Sequence, residues 1–136
     1  MARRMKSLLA ARSGSVALEY GIVAPALLVM MLGIMDVGRL MWSYTTLHRA
    51  VEAAARCGAV NETLCSSSSQ VVSYAASETW GLSVQEGTFS VSEEACGQQV
   101  AAEYNVTLFM PWLWAETDPW PNSITLTTSA CYPRLY

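Results

Sequence analysis

The sequence is poor in charge and has almost no histidine or lysine. Charged residues make up only 14% of the 136, and there is one histidine, His48, and one lysine, Lys6. A lone histidine leaves no basis for a histidine-built metal site and at most one imidazole base for a nucleophile. Glu93 and Glu94 are adjacent and would diverge on a strand, while Glu116 and Asp118 fall in a loop bounded by prolines. Nothing converges on a reaction, so no enzymatic activity and no cofactor are expected. Clustered Lys and Arg are missing from everything beyond Gly14, which excludes a nucleic-acid surface. There is no C-x-x-C pair to nucleate a zinc ribbon, and neither a repeat nor an interdomain linker is present.

What is present is a membrane-length apolar segment. No charge occurs from Tyr20 to Met35, and apolar character continues through Val37, Leu40, Met41 and Trp42. At 1.5 Å rise per residue, the distance from Glu19 to Arg39 is about 30 Å, the thickness of a hydrocarbon core. Tyr20 stands at one end and Trp42 and Tyr44 at the other, where amphipathic aromatics collect at lipid–water interfaces. Arg3, Arg4, Lys6 and Arg12 precede Gly14 without an acid, whereas acids predominate afterwards. Four cysteines, Cys57, Cys65, Cys96 and Cys131, all lie on the C-terminal side, as disulfides of a small domain in an oxidising compartment would. The N-terminus is therefore placed in the cytoplasm and the remainder outside. A cleaved secretory signal is the rival reading, but the Ala24-Pro25-Ala26 triplet lies near the start of the apolar run rather than after it.

Beyond the membrane, Leu40, Tyr44, Leu47, Val51, Ala54 and Ala55 continue a helical spacing to about Cys57 or Gly58, where the glycine is read as a stop. Ala50, Ala54 and Gly58 form a small-residue ridge that would admit the chain's own sheet. The serine run ending at Ser69 can cap a second helix carrying Val71, Val72, Ala75, Ala76 and Trp80, with Gly81 ending it. Past Gly87 the period becomes two: Thr88 to Ser92, then Val100 to Met110, then Ile124 to Tyr132. The expected fold is α+β: a long N-terminal transmembrane helix extending into a small ectodomain with a second helix and an antiparallel sheet of about three strands. The expected division is a basic leader at 1–14, a transmembrane and juxtamembrane helix at 15–58, and a disulfide-containing extracytoplasmic domain at 59–136.

Gly14 followed five residues later by Glu19-Tyr20 at the mouth of the apolar helix, with Pro25, Asp36-Val37-Gly38-Arg39 and Ala53-Ala54-Ala55-Arg56 farther on, resembles the TadE-like pseudopilins. These belong to the tight-adherence (Tad) pilus system, a branch of the type IV pilus superfamily. The resemblance implies a minor pilin or pseudopilin of the bacterial inner membrane, with its C-terminal domain periplasmic and possible incorporation into an extracellular pilus. It also implies cleavage by a prepilin peptidase between Gly14 and Ser15, with other pilus subunits, an inner-membrane assembly platform and membrane lipid as partners. Residue chemistry fits independently. A carboxylate at the edge of a bilayer needs a partner, and cleavage creates an α-amine on Ser15 with a reference pKa of about 7.7 to 8.0. Glu19 could pair with that amine in its own chain, four residues away, or in an adjacent subunit.

Pro25 would free the carbonyl of Gly21, so a kink is expected there. Asp36 and Arg39, three apart, are read as a self-neutralising pair at the outer membrane boundary. The four cysteines permit three pairings, among which the sequence does not choose. The pairing adopted as an expectation is Cys57 with Cys65, closing the loop after the long helix, and Cys96 with Cys131, tying the start of the sheet to its last strand. Trp112, Trp114 and Trp120 crowd a proline-bounded loop that either contacts a partner or lipid or covers the sheet. A single-pass anchor with a ligand-binding or sensory ectodomain is the competing function, and an intact leader on the membrane protein would favour it.

Overall fold

The computed structural model describes residues 13–85, 87–110 and 122–134. The leader and the tryptophan loop, with Trp112, Trp114 and Trp120, lie outside them. The chain forms two compact units, Met1–Met35 and Asp36–Tyr136, and helix α1, Ser13–Val60, begins in the first and ends in the second.

In the first unit α1 is exposed along its described length apart from a half-buried Gly33. Leu18 and Ile22 are each 69% exposed and Met30 64%. The most apolar window of the helix has a mean hydropathy of 2.0 and is only 6% buried. A core helix of a soluble protein would hide such a surface, so this stretch is long and apolar enough to anchor the chain in a membrane. Pro25 lies inside α1, and the helix is continuous through Gly21 and Pro25.

In the second unit the periodicity is satisfied by packing. Leu47, Ala50, Val51, Ala54 and Ala55 are fully buried and form one core with Val71 and Ala75 of helix α2 and Phe89, Val100 and Ala102 of the sheet. Helix α2 is Ser68–Ser77. Ser67 caps it by accepting from the Gln70 N–H, and the Gln70 side chain reaches back to the cap backbone, the reciprocal arrangement that satisfies two orphan donors. The helix ends at Ser77 with Glu78 as its C-cap, short of the expected glycine stop, leaving Trp80 outside it and 76% exposed. Gly81, at φ 75°, takes the left-handed turn that follows.

Three strands, β1 (Phe89–Glu94), β2 (Gly97–Thr107) and β3 (Ser123–Tyr132), form an antiparallel meander in the order β1-β2-β3. Register places Val91 against Val100 and Val100 against Ala130 on one face, with Tyr104 against Leu126 farther along. Period-two reading thus identified the inward face. Gly97, at φ 122°, closes the β1–β2 turn where a Cβ would collide with the carbonyl of Tyr132. Both disulfides form as expected, Cys57–Cys65 closing an 8-residue separation and Cys96–Cys131 a 35-residue one.

Two expected boundaries move for identifiable reasons. Helix α1 runs to Val60, past Gly58, and the Asn61 N–H still donates to the Cys57 carbonyl at 2.8 Å. Gly58 serves close packing instead: a Cβ there would lie 2.6 Å from the Gln98 side-chain nitrogen of β2. Strand β2 stops at Thr107 rather than Met110: the Leu108 N–H still donates to the Asn122 carbonyl at 2.9 Å, but the Phe109 and Met110 amides turn to a carboxylate on α1.

Candidate functional site: the N-terminal motif and the Asp36 latch

The residues that stand out in the sequence fall into two groups, one in each unit. At the N-terminal end, Ser13 opens α1, so Gly14 and Ser15 occupy its first turn and Glu19 the second. Gly14 is exposed, with no neighbouring atom within 4 Å of where a Cβ would project. Glu19 is exposed and Tyr20 is 72% exposed. Glu19 is the sole acid between Gly14 and Met35. A lone carboxylate in an otherwise uncharged stretch is costly in hydrocarbon unless it is paired.

The second group lies at the start of the second unit. Asp36 is 1% exposed, and its two carboxylate oxygens accept hydrogen bonds from the backbone N–H groups of Phe109 at 3.0 Å and Met110 at 3.1 Å. These amides follow the end of β2, so one side chain of α1 fastens the sheet's exit to the helix. The expected Asp36–Arg39 ion pair does not form. The Arg39 guanidinium instead lies over the Phe109 ring, 4.5 Å from its centroid, so both residues grip the same short segment. The physical reason is competition. Two amides delivered by a chain already turning away from β3 satisfy both oxygens of Asp36, and a charge-assisted bond of that kind is about twice as strong as a neutral one.

A third contact was not anticipated. Arg134 donates from Nη2 to the Gln98 amide oxygen at 2.9 Å and pairs through Nη1 with Glu93 at 2.9 Å. It thereby joins the segment after β3 to β1 and β2. The signal that could have found it is Gln98 itself, a polar residue at an inward position of β2 that needs a donor or acceptor once buried. For Asp36 the signal was a buried-phase acid facing a strand with unpaired terminal amides, which becomes visible only when the fold brings residues 36 and 109 together.

His48 lies within 3.4 Å of Glu52 one turn on, both partly exposed, and Tyr44 meets its ring edge-on. All four cysteines are consumed in disulfides.

Residues 14–56 match the family model described as TadE-like protein. That stretch opens on Gly14, contains Glu19, Tyr20, Pro25, Asp36 and Arg39, and ends one residue before Cys57. Comparison with curated proteins and with solved structures gives no match.

Proposed function

We propose that this chain, TadE-like over residues 14–56, is a minor pilin or pseudopilin of a Tad-type pilus or secretion machine, matured by a prepilin peptidase. The observation that carries the reading is where the family match begins: at Gly14, beside the expected cleavage point, with the basic residues 1–13 outside it. Hydrolysis of the Gly14–Ser15 peptide bond would leave a carboxylate on Gly14 and a new ammonium on Ser15, which starts a helix bearing Glu19 one turn later. Gly14 is exposed and itself carries no side chain, which supports access of a peptidase to that bond. In the mature subunit the Ser15 amine and Glu19 supply opposite charges at one membrane edge, and a neighbouring subunit can bridge them, setting the stagger between helices. Gly21 and Pro25 provide the weak turn at which the helix adjusts to a bundle of neighbours. The two disulfides and the acidic second unit suit a periplasmic location, with the N-terminus in the cytoplasm.

The decisive measurement is the intact mass of the protein isolated from membranes of cells containing the peptidase. Loss of residues 1–14 is expected, and a retained leader overturns the reading in favour of a plain membrane anchor. Replacing Gly14 with Leu should block processing. Glu19→Ala should leave processing intact and abolish co-purification with pilus subunits; undiminished co-purification would remove Glu19 from assembly while leaving the processing claim standing.

A further inference from the structure

We infer that the cleft formed by Trp42, Thr46, Arg49 and Ala53 of α1 with Glu78 and Trp80 beyond α2 seats the headgroup of a zwitterionic phospholipid, one bearing both a phosphate and an ammonium. The cleft encloses about 530 Å³, within the range of small-ligand sites, and lies wholly in the second unit. Its position on α1 argues for lipid. In sequence Trp42 follows the uncharged run from Tyr20 to Met35 by seven residues, and within the second unit the cleft is bordered by exposed apolar side chains of α1. Val37 at 40%, Met41 at 64% and Trp42 at 60% exposure are those side chains, and Trp42 forms part of the cleft wall.

Trp80 is otherwise hard to account for. Among the described large hydrophobic residues it is the most exposed, at 76%, on a turn that Gly81 holds beside the Trp42 indole, with a Gly81 Cβ position 3.9 Å from the indole nitrogen. Two indoles brought to one opening from different elements suit the headgroup layer, where an apolar ring and a polar N–H are both satisfied.

Charge decides the headgroup. The exposed Arg49 forms no ion pair with another described residue and offers a fork of donors to a phosphate. Glu78, half-buried on the opposite element, also pairs with no described cation; with the indole faces it provides the complement to an ammonium. A purely anionic headgroup would satisfy Arg49 but face Glu78 uncompensated. The inference needs only the membrane anchor and is independent of pilus assembly.

The test is native mass spectrometry of the full chain released from nanodiscs of equal phosphatidylethanolamine and phosphatidylglycerol. One phosphatidylethanolamine per chain should be retained in preference to phosphatidylglycerol by about tenfold. Trp80→Ala and Arg49→Gln should each abolish the retention, and Glu78→Gln should erase the headgroup preference while keeping a bound lipid. Disulfide content and circular dichroism report folding, which substitutions at the exposed Trp80 and Arg49 should leave unchanged. Equal retention of both lipids by the native chain, preferential phosphatidylglycerol, a dimer of the chain in place of lipid, or retention undiminished by Trp80→Ala and Arg49→Gln would each overturn the assignment.

Discussion

Two stretches of helix α1 carry comparable apolar side chains and treat them oppositely. Between Val16 and Met35 Leu, Ile and Met point outward, Leu28 at 59% exposure and Ile34 at 62%. Between Leu47 and Ala59 the apolar residues Leu47, Ala50, Val51, Ala54, Ala55 and Ala59 are fully buried. The second stretch has an amphipathic stripe interrupted by Arg49, Glu52 and Arg56, so its solvent side is written into the sequence. The first has no polar face, and a helix apolar all round must find hydrocarbon or other helices on every side. One rod thus holds a part stabilised by its own domain and a part stabilised only by its surroundings.

The sharpest way to break that comparison is a matched pair of truncations. Leu47→Ala should destabilise the second unit by about 2 to 5 kcal/mol, because a fully buried leucine leaves a cavity. Leu28→Ala removes the same atoms from an exposed position and should change the unfolding of that unit by less than about 0.5 kcal/mol. Urea titration of the detergent-solubilised chain, followed by near-UV circular dichroism, reads both. Equal losses would mean that the two stretches unfold as one body and do not differ in what stabilises them.

The disulfides sharpen the comparison within the second unit. By loop-closure entropy alone, the 35-residue span of Cys96–Cys131 should contribute about 4 kcal/mol and the 8-residue span of Cys57–Cys65 about 2.5. Replacing each pair by Ala should therefore lower stability in that order. The smaller bridge pins the end of α1 to a loop already organised by Asn61, whose side-chain oxygen accepts from the Thr63 and Leu64 N–H groups. That local turn should persist without the bond.

Much of this architecture was readable because it follows periodicity. The inward residues of β2 and β3, the apolar row of α1 and the ridge Ala50-Ala54-Gly58 all obey spacings of two or of three and four. Boundaries were less readable wherever a tertiary partner outbid a local signal. Gly58 reads as a helix stop, but the helix continues because Gln98 fills the space that the missing Cβ leaves. Trp80 sits at a helical spacing from Ala76, yet α2 ends at Ser77 and the ring is exposed. The N-terminal motif was legible as a pattern because its elements are neighbours in sequence. The Asp36 latch was not, since its donors lie 73 and 74 residues away.

That latch allows a direct contest between the expected pairing and the observed one. Asp36→Ala would leave the Met110 amide, in a residue 5% exposed, without an acceptor and should cost about 2 to 3 kcal/mol. Amide hydrogen exchange at Phe109 and Met110 should accelerate in the same variant. Arg39→Ala removes a cation stacked on Phe109 and should cost only about 0.5 to 1 kcal/mol. Matching effects at the two positions would restore the ion pair as the dominant interaction; a several-fold faster exchange confined to Asp36→Ala supports the backbone latch.

The smallest expected effect separates the two partners of Arg134. Its contact with Glu93 spans side chains 39% and 73% exposed, so solvent and salt screen it, and Glu93→Gln should change stability by no more than about 0.5 kcal/mol. Its bond to Gln98 ends on a residue 4% exposed and wedged against Gly58. Gln98→Ala removes both the acceptor and the packing, so a loss of about 1 to 2 kcal/mol is expected there. The salt dependence distinguishes them further: raising ionic strength should erase the Glu93 contribution and leave the Gln98 contribution in place, because only the first is an exposed charge pair. If salt instead abolished both, Arg134 would be acting through its charge alone, and the buried end of β2 would owe its order to Gly58 and the sheet rather than to the arginine.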